Sequence, residues 1–222
     1  MAKAPSQKRE RLSQVAYDQI KTMILQKDLT PGQFINESQL QELLELGRTP
    51  VREAIRKLEL EGLVLMIPRK GAEVADISEK SLKDVLEVRE ALEELAARLA
   101  CDKITKEGIN RLKEAAQDFR SALKSNDITQ MAEADVRFHD VICNATENQK
   151  LGQLLNNLRE QMYRYRIEYL KDQQVYEKLL SEHEEIIRHI EKGEKDEAAR
   201  VVSRHIENQA QAVTDVIRTK KN

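Results

Sequence analysis

The 222-residue chain has no tryptophan, three phenylalanines and five tyrosines, and only seven glycines and four prolines. So few chain breakers and sheet-favouring aromatics, beside 34% charged residues, predict a mainly helical protein. No run of about 18 apolar residues is present, which argues against a membrane-spanning helix. The first residues hold no apolar core of a secretory leader, so the expectation is a soluble, cytoplasmic protein. Cys101 and Cys143 are too few and too far apart for a disulfide framework or a cysteine metal motif, and both are expected as reduced thiols. The length suffices for two domains.

Formal charge is nearly balanced at −2, yet residues 48–57 hold four cations and one anion. Within that segment Val51, Ala54, Ile55 and Leu58 recur at helical spacing on one face, while Arg52 and Arg56, four apart, share another. One face packs and the other is cationic. Pro50 fits only a first helical turn, so the helix starts near Arg48 to Pro50, with Arg48 and Thr49 at its entrance. Upstream, Leu12, Val15, Ala16, Gln19, Ile20, Met23 and Ile24 form the stripe of a helix closed by Thr30-Pro31-Gly32. Asn36 with Gln39 looks like a capping box opening a second helix through Leu40, Leu43 and Leu44. Downstream, Gly62 stops the basic helix, and two strand-like runs, residues 63–67 and 72–75, flank Pro68-Arg69-Lys70-Gly71.

Three helices followed by a hairpin wing is the order of a winged helix-turn-helix DNA-binding module. In such modules the N-terminal part of the second helix of the motif reaches base edges and phosphates in the major groove. An arginine there can pair bidentately with guanine O6 and N7. A wing tipped by Arg69 and Lys70 would lie on phosphates or enter the minor groove. The run Arg48-Thr49-Pro50-Val51-Arg52-Glu53-Ala54-Ile55, then Leu58, Glu61-Gly62-Leu63-Val64 and a wing ending in Gly71, resembles the DNA-binding domain of GntR-family bacterial transcription regulators. The resemblance implies operator contacts by Arg48, Thr49 and Arg52, and a wing contact by Lys70 with Gly71. Two positions depart from it. Glu45 stands where the family usually has glycine, and Gly47 where it usually has a serine that helps cap the helix and touches phosphate.

Residues 1–77 thus make the first predicted domain, ending in an Asp76-Ile77-Ser78 linker. Residues 78–222 show helical periodicity broken at Asp102-Lys103, Ser125-Asn126, Thr146-Glu147-Asn148, Asp172-Gln173 and Lys192-Gly193, which predicts a six-helix bundle with a solvated Thr219-Lys220-Lys221-Asn222 tail. Polar residues stand on its apolar stripes. Ile128, Met131, Asp135, Phe138 and Ile142 share a face with His139; Leu179, His183, Ile186, Ile187 and Ile190 share another; Ala198, Val201, Val202, His205, Ala212 and Val216 share a third. His189 lies well round its helix from His183 and reads as outward-facing. One inward Asp and three inward His suit either a hydrogen-bonded polar core or a divalent transition metal such as Zn²⁺ or Ni²⁺.

This second domain resembles the FCD ligand-binding domain of the FadR-like GntR subfamily, in its metal-dependent VanR-like form, from Ser78 to about Ile217. The resemblance implies metal ligation by Asp135, His139, His183 and His205. Arg89 sits among Leu82, Val85, Leu86, Leu92 and Ala96. It is readable as an ion pair with Glu93 or as a guanidinium clamp for a small carboxylate effector. Tyr165, aligned with Leu151, Leu154, Leu158 and Met162, lines that pocket or simply packs.

The expectation is therefore a homodimeric, effector-controlled binder of double-stranded operator DNA, because single small modules bury little surface and usually read paired half-sites. A metalloenzyme is the rival. The nearest zinc-protease pattern, His183-Glu184-Glu185-Ile186-Ile187, lacks its second histidine, so no enzyme is expected. An effector-independent DNA-binding dimer with a closed polar core is the third reading.

Overall fold

The computed structural model describes residues 5–26, 28–75 and 79–221, and the predicted linker Asp76-Ile77-Ser78 lies outside them. The chain forms two compact units, Met1–Ile77 and Ser78–Asn222. In the first, α1 (Pro5–Gln26), α2 (Glu37–Leu44) and α3 (Arg48–Leu60) are followed by strands β1 (Val64–Ile67) and β2 (Gly71–Val74). The Asn36 side chain caps α2 by accepting from the Ser38 and Gln39 amides. Helix α2 ends at Glu45 with φ 53°, a left-handed conformation that costs a side-chain-bearing residue about 1–2 kcal/mol. That is the position where the resembling family has glycine. Helix α3 begins at Gly47 without a side-chain cap, the direct consequence of the missing serine hydroxyl. Val51, Ala54, Ile55 and Leu58 of α3 pack with Ala16, Tyr17, Ile20 and Ile24 of α1 in one core.

Gly62, at φ 68°, closes α3 with two bonds, from its own amide to the Glu59 carbonyl and from the Leu63 amide to the Leu58 carbonyl, both 2.9 Å. The chain then enters an antiparallel hairpin whose register runs from Val64 opposite Val74 to Ile67 opposite Gly71. The turn holds three residues rather than the four expected, because Gly71 pairs as the first residue of β2. Lys70 donates its amide to the Ile67 carbonyl at 3.0 Å, with Pro68 and Arg69 between. Arg69 has φ 67°, the positive φ that the third position of a type II turn requires, and Pro68 suits the second.

The second unit holds α4 (Glu79–Lys103), α5 (Lys106–Ser125), α6 (Ile128–Ala145), α7 (Gln149–Tyr169), a 3₁₀ turn at Gln173–Val175, α8 (Tyr176–Lys192) and α9 (Lys195–Lys221). Thr105 and Asp127 cap α5 and α6 through their side-chain oxygens, and Gly193 in the left-handed conformation ends α8. Helix α9 continues through Lys221, so the expected tail is helical to that residue, since no breaker interrupts it. The bundle core includes Leu112, Phe119, Met131, Phe138, Met162, Tyr169, Leu170 and Ile186, all below 2% exposure.

Candidate functional site

Asp135 and His139 lie one turn apart on α6, and His183 of α8 and His205 of α9 meet them inside the bundle, all four buried. One donor atom from each falls within 4.8 Å of all the others. The His183 Nε2 is 3.1 Å from Asp135 Oδ1, the His139 Nε2 is 3.9 Å from the same oxygen, and the Nε2 atoms of His139 and His205 are 3.3 Å apart. Donors sharing an ion at about 2.0–2.2 Å stand about 3–4 Å from one another, so these three separations suit a common ion, while the set as a whole, spanning up to 4.8 Å, would close slightly around it.

The ring tautomers are set from behind. Glu93 Oε2 accepts from His139 Nδ1 at 2.5 Å, and Glu182 Oε2 accepts from His205 Nδ1 at 2.7 Å. A ring that donates from Nδ1 keeps its lone pair at Nε2. The two Nε2 atoms lie 3.3 Å apart with a carboxylate beside them, and the His205 lone pair is met by the Gln209 amide at 2.9 Å, a donor whose place a cation can take. Carboxylate–histidine pairs of this kind are how metal ligands are oriented. His183 differs: its Nδ1 has no hydrogen-bond partner among the described residues, and its ring is stacked on Phe138 at 4.2 Å with Phe119 edge-on. Burial lowers the His139 pKa to about 4, against the opposing pull of Glu93 and Asp135, and it lowers that of His183 as well. Neutral imidazoles are the form a metal binds.

Asp135 is a charged carboxylate in the core. Burial alone would raise its pKa, but the Arg166 guanidinium, the His183 hydrogen bond and the other imidazole hold it well below the usual range. Arg166 Nε approaches Asp135 Oδ2 to 2.5 Å as an ion pair, without hydrogen-bond alignment. Arg166 is hidden in the sequence pattern, in which Leu154 and Leu158 stand on the expected buried stripe of α7. The helix instead buries Leu151, Leu155, Met162, Tyr165, Arg166 and Tyr169 and leaves Leu154 53% exposed.

Arg89 is buried and makes the ion pair read as one of its two options, Nε to Glu93 Oε1 at 2.7 Å, while its Nη1 donates to Gln209 Oε1 at 2.9 Å. Burial opposes ionisation of Glu93, but Arg89 and His139 override it and push its pKa far down. Arg89, Glu93 and His139 border a narrow cleft with Leu155, Arg159 and Arg166, of about 10 Å³, room for about one water. A second cavity of about 480 Å³ is lined in part by Tyr169, Lys178, Glu182, Asn208 and Gln209. Tyr165 is buried in α7 and lines neither. His189 is half-buried rather than outward, with Nδ1 2.6 Å from Glu194 at the end of α8.

In the first unit, Arg48 and Thr49 stand exposed at the start of α3, Arg52 and Arg56 on its outer face, and Arg69, Lys70 and Gly71 at the hairpin tip, all exposed. Arg52 is held by an ion pair that the sequence reading did not foresee, Nε to Glu37 Oε2 at 2.7 Å, leaving both Nη groups outside that contact. Glu37 opens α2, and nothing in linear spacing links it to Arg52. Among the described residues no helix is long and apolar enough to cross a membrane.

Residues 12–74 match the family described as bacterial regulatory proteins, gntR family, and residues 84–208 match the FCD domain. The chain is 28% identical over 203 residues to YdhC of Bacillus subtilis (strain 168), an HTH-type transcriptional regulator, covering 90% of each. It is 26% identical over 198 residues to RspR of Escherichia coli (strain K12), an HTH-type transcriptional repressor, covering 87% of each. The solved structure of E. coli McbR/YncC matches in fold, with a TM-score of 0.78 at 18% identity over 92% of this chain and 97% of that one.

Proposed function

The chain belongs to the gntR family of bacterial regulatory proteins, carries an FCD domain and is a DNA-binding transcriptional regulator, and we propose that its operator affinity is set by a small carboxylate bound beside a divalent metal in the helical domain. The observation that carries this reading is the buried acceptor cluster: three imidazoles and a carboxylate, two of the rings turned inward by Glu93 and Glu182. Asp135, His139, His183 and His205 hold the ion, Zn²⁺ or Ni²⁺ by donor type. When bound, it supplies positive charge to the cluster and open coordination positions to a carboxylate. Arg89 supplies the counter-charge for that acid, and Arg159 and Arg166 border the same cleft. Tyr165 is buried in α7 and takes no part in that cleft.

At the DNA, Arg48, Thr49 and Arg52 contact the operator from α3, and Arg69, Lys70 and Gly71 from the wing. Arg52 reads a base with its Nη edge while its Nε stays on Glu37. The working form is a homodimer in the cytoplasm that presents two such modules to paired half-sites. The acid changes operator affinity only by binding two arrangements of the dimer unequally. The protein is read as acting by binding and not by catalysis, in keeping with the regulator families it matches.

The test is selection of an operator from random duplexes with purified protein, then titration of a panel of small carboxylic acids with and without Zn²⁺. An acid that shifts operator affinity about fivefold or more, only with metal and not in His205→Ala, is the expected result. Equal operator affinity across the whole panel contradicts effector control.

A further inference from the structure

Gln209 is 1% exposed and holds two groups that the proposed function assigns to different partners. Its orientation is decided by chemistry. Arg89 Nη1 can only donate, so the atom 2.9 Å from it is the amide oxygen. The amide nitrogen therefore faces His205 Nε2, also at 2.9 Å. The His205 Nδ1 donates to Glu182, so Nε2 carries the ring's lone pair, and that lone pair accepts from Gln209. One lone pair serves one partner. His205 accepts from Gln209 or ligates a metal, but not both.

We propose that Gln209 is a latch: with no metal it ties His205 to Arg89, and metal loading releases the amide and with it the Arg89 guanidinium for an anion. This rests on the metal reading above. Once its nitrogen has lost the His205 acceptor, the buried NH₂ is left unsatisfied, and turning to regain an acceptor takes its oxygen off Arg89. Arg89 keeps Glu93 at Nε but then has unpaired Nη donors in a site where it is 3% exposed. A buried guanidinium without acceptors is costly, and an incoming carboxylate satisfies it.

The cavities fit this sequence. Beside Arg89 there is room for about one water, too little for an organic acid. The 480 Å³ cavity has the volume for one, and Gln209 lines it whereas Arg89 does not. Displacing the amide joins Arg89 to that space. Metal comes first and the acid second, and linkage requires that the acid in turn tighten the metal.

The experiment follows the Gln209 side-chain amide by ¹⁵N–¹H NMR in the full-length protein during a Zn²⁺ titration, the signals being assigned through the residue's own backbone. Both NH₂ signals should move with metal occupancy as the imidazole hydrogen bond is lost. Gln209→Leu, which keeps bulk but removes both bonds, should bind Zn²⁺ roughly three- to tenfold tighter, the equilibrium equivalent of one hydrogen bond lost from the metal-free state. It should also bind acetate without Zn²⁺ better than the wild type does. Amide signals unmoved at full Zn²⁺ occupancy, or a weaker Zn²⁺ affinity in Gln209→Leu, overturn the latch. The second result would make Gln209 a ligand. The wild-type titration alone decides if the variant misfolds. His183→Ala separates the two levels: retention of stoichiometric Zn²⁺ there defeats the site assignment itself, whatever Gln209 does.

Discussion

Replacing Asp135 with Asn removes one charge of a buried pair and leaves the other without a partner. Asp135 and Arg166 expose 0% and 3% of their side chains, so water cannot compensate the orphaned guanidinium. Breaking a buried ion pair from one side costs about 3–5 kcal/mol, far more than the pair contributes relative to an apolar substitute. At about 3 °C per kcal/mol for a domain of this size, Asp135→Asn should lower the melting temperature by about 10–15 °C. The measurement is urea and thermal unfolding by circular dichroism in the presence of a chelator, so that lost metal binding does not contribute. Asp135→Asn combined with Arg166→Met should then be more stable than Asp135→Asn alone, because the stranded cation is gone. A loss under about 1 kcal/mol in the single variant, or a double variant as poor as the sum of both singles, would refute the claim that this pair sits in a dry core.

Arg52→Ala should weaken selected-operator binding by about 1–3 kcal/mol with the fold intact, the magnitude of a bidentate base contact; unchanged affinity at matched salt removes Arg52 from the interface. Arg69→Ala should weaken all duplexes alike and reduce the salt slope by about one, and an effect confined to one base position would contradict a phosphate contact. Glu45→Gly should raise stability by up to about 1 kcal/mol by relieving the left-handed cap, readable as a higher urea midpoint with unchanged slope. The depressed His139 pKa means the unfolded chain binds a proton first as pH falls. The stability tied to neutral His139 is therefore complete above about 6.5 and is lost down to about 4, roughly 3 kcal/mol in all. A flat stability profile across that window in metal-free protein would contradict neutral burial.

The elements were legible where local chemistry punctuates the chain. Asn36, Thr105 and Asp127 cap helices through their own side chains, and Gly62 and Gly193 supply left-handed ends, so start and stop signals lie within a few residues of each boundary. The Asp135, His139, His183 and His205 set was visible because ionisable groups interrupt stripes that are otherwise apolar. What supports them was not. Glu93 was legible only as the partner of Arg89 and not as the acceptor behind His139, while Glu182 and Gln209 each reach a ligand or clamp on a different turn or helix, and on a single helix such residues are indistinguishable from solvated ones. Arg166 was hidden by a small rotation of α7, which decides whether Leu154 or Leu155 faces inward. The Arg52–Glu37 pair depends on how α2 meets α3, which periodicity along either helix does not encode.

The most direct test of the central claim is the metal content of protein purified without a histidine tag, measured by elemental analysis for the wild type and for His183→Ala and His205→Ala. The account predicts about one divalent transition metal per chain in the wild type and a large loss in both variants, with the helical content of each retained. Stoichiometric metal in both histidine variants, or none in wild-type protein reloaded with Zn²⁺, would contradict it and make the buried Asp and His residues a closed polar core.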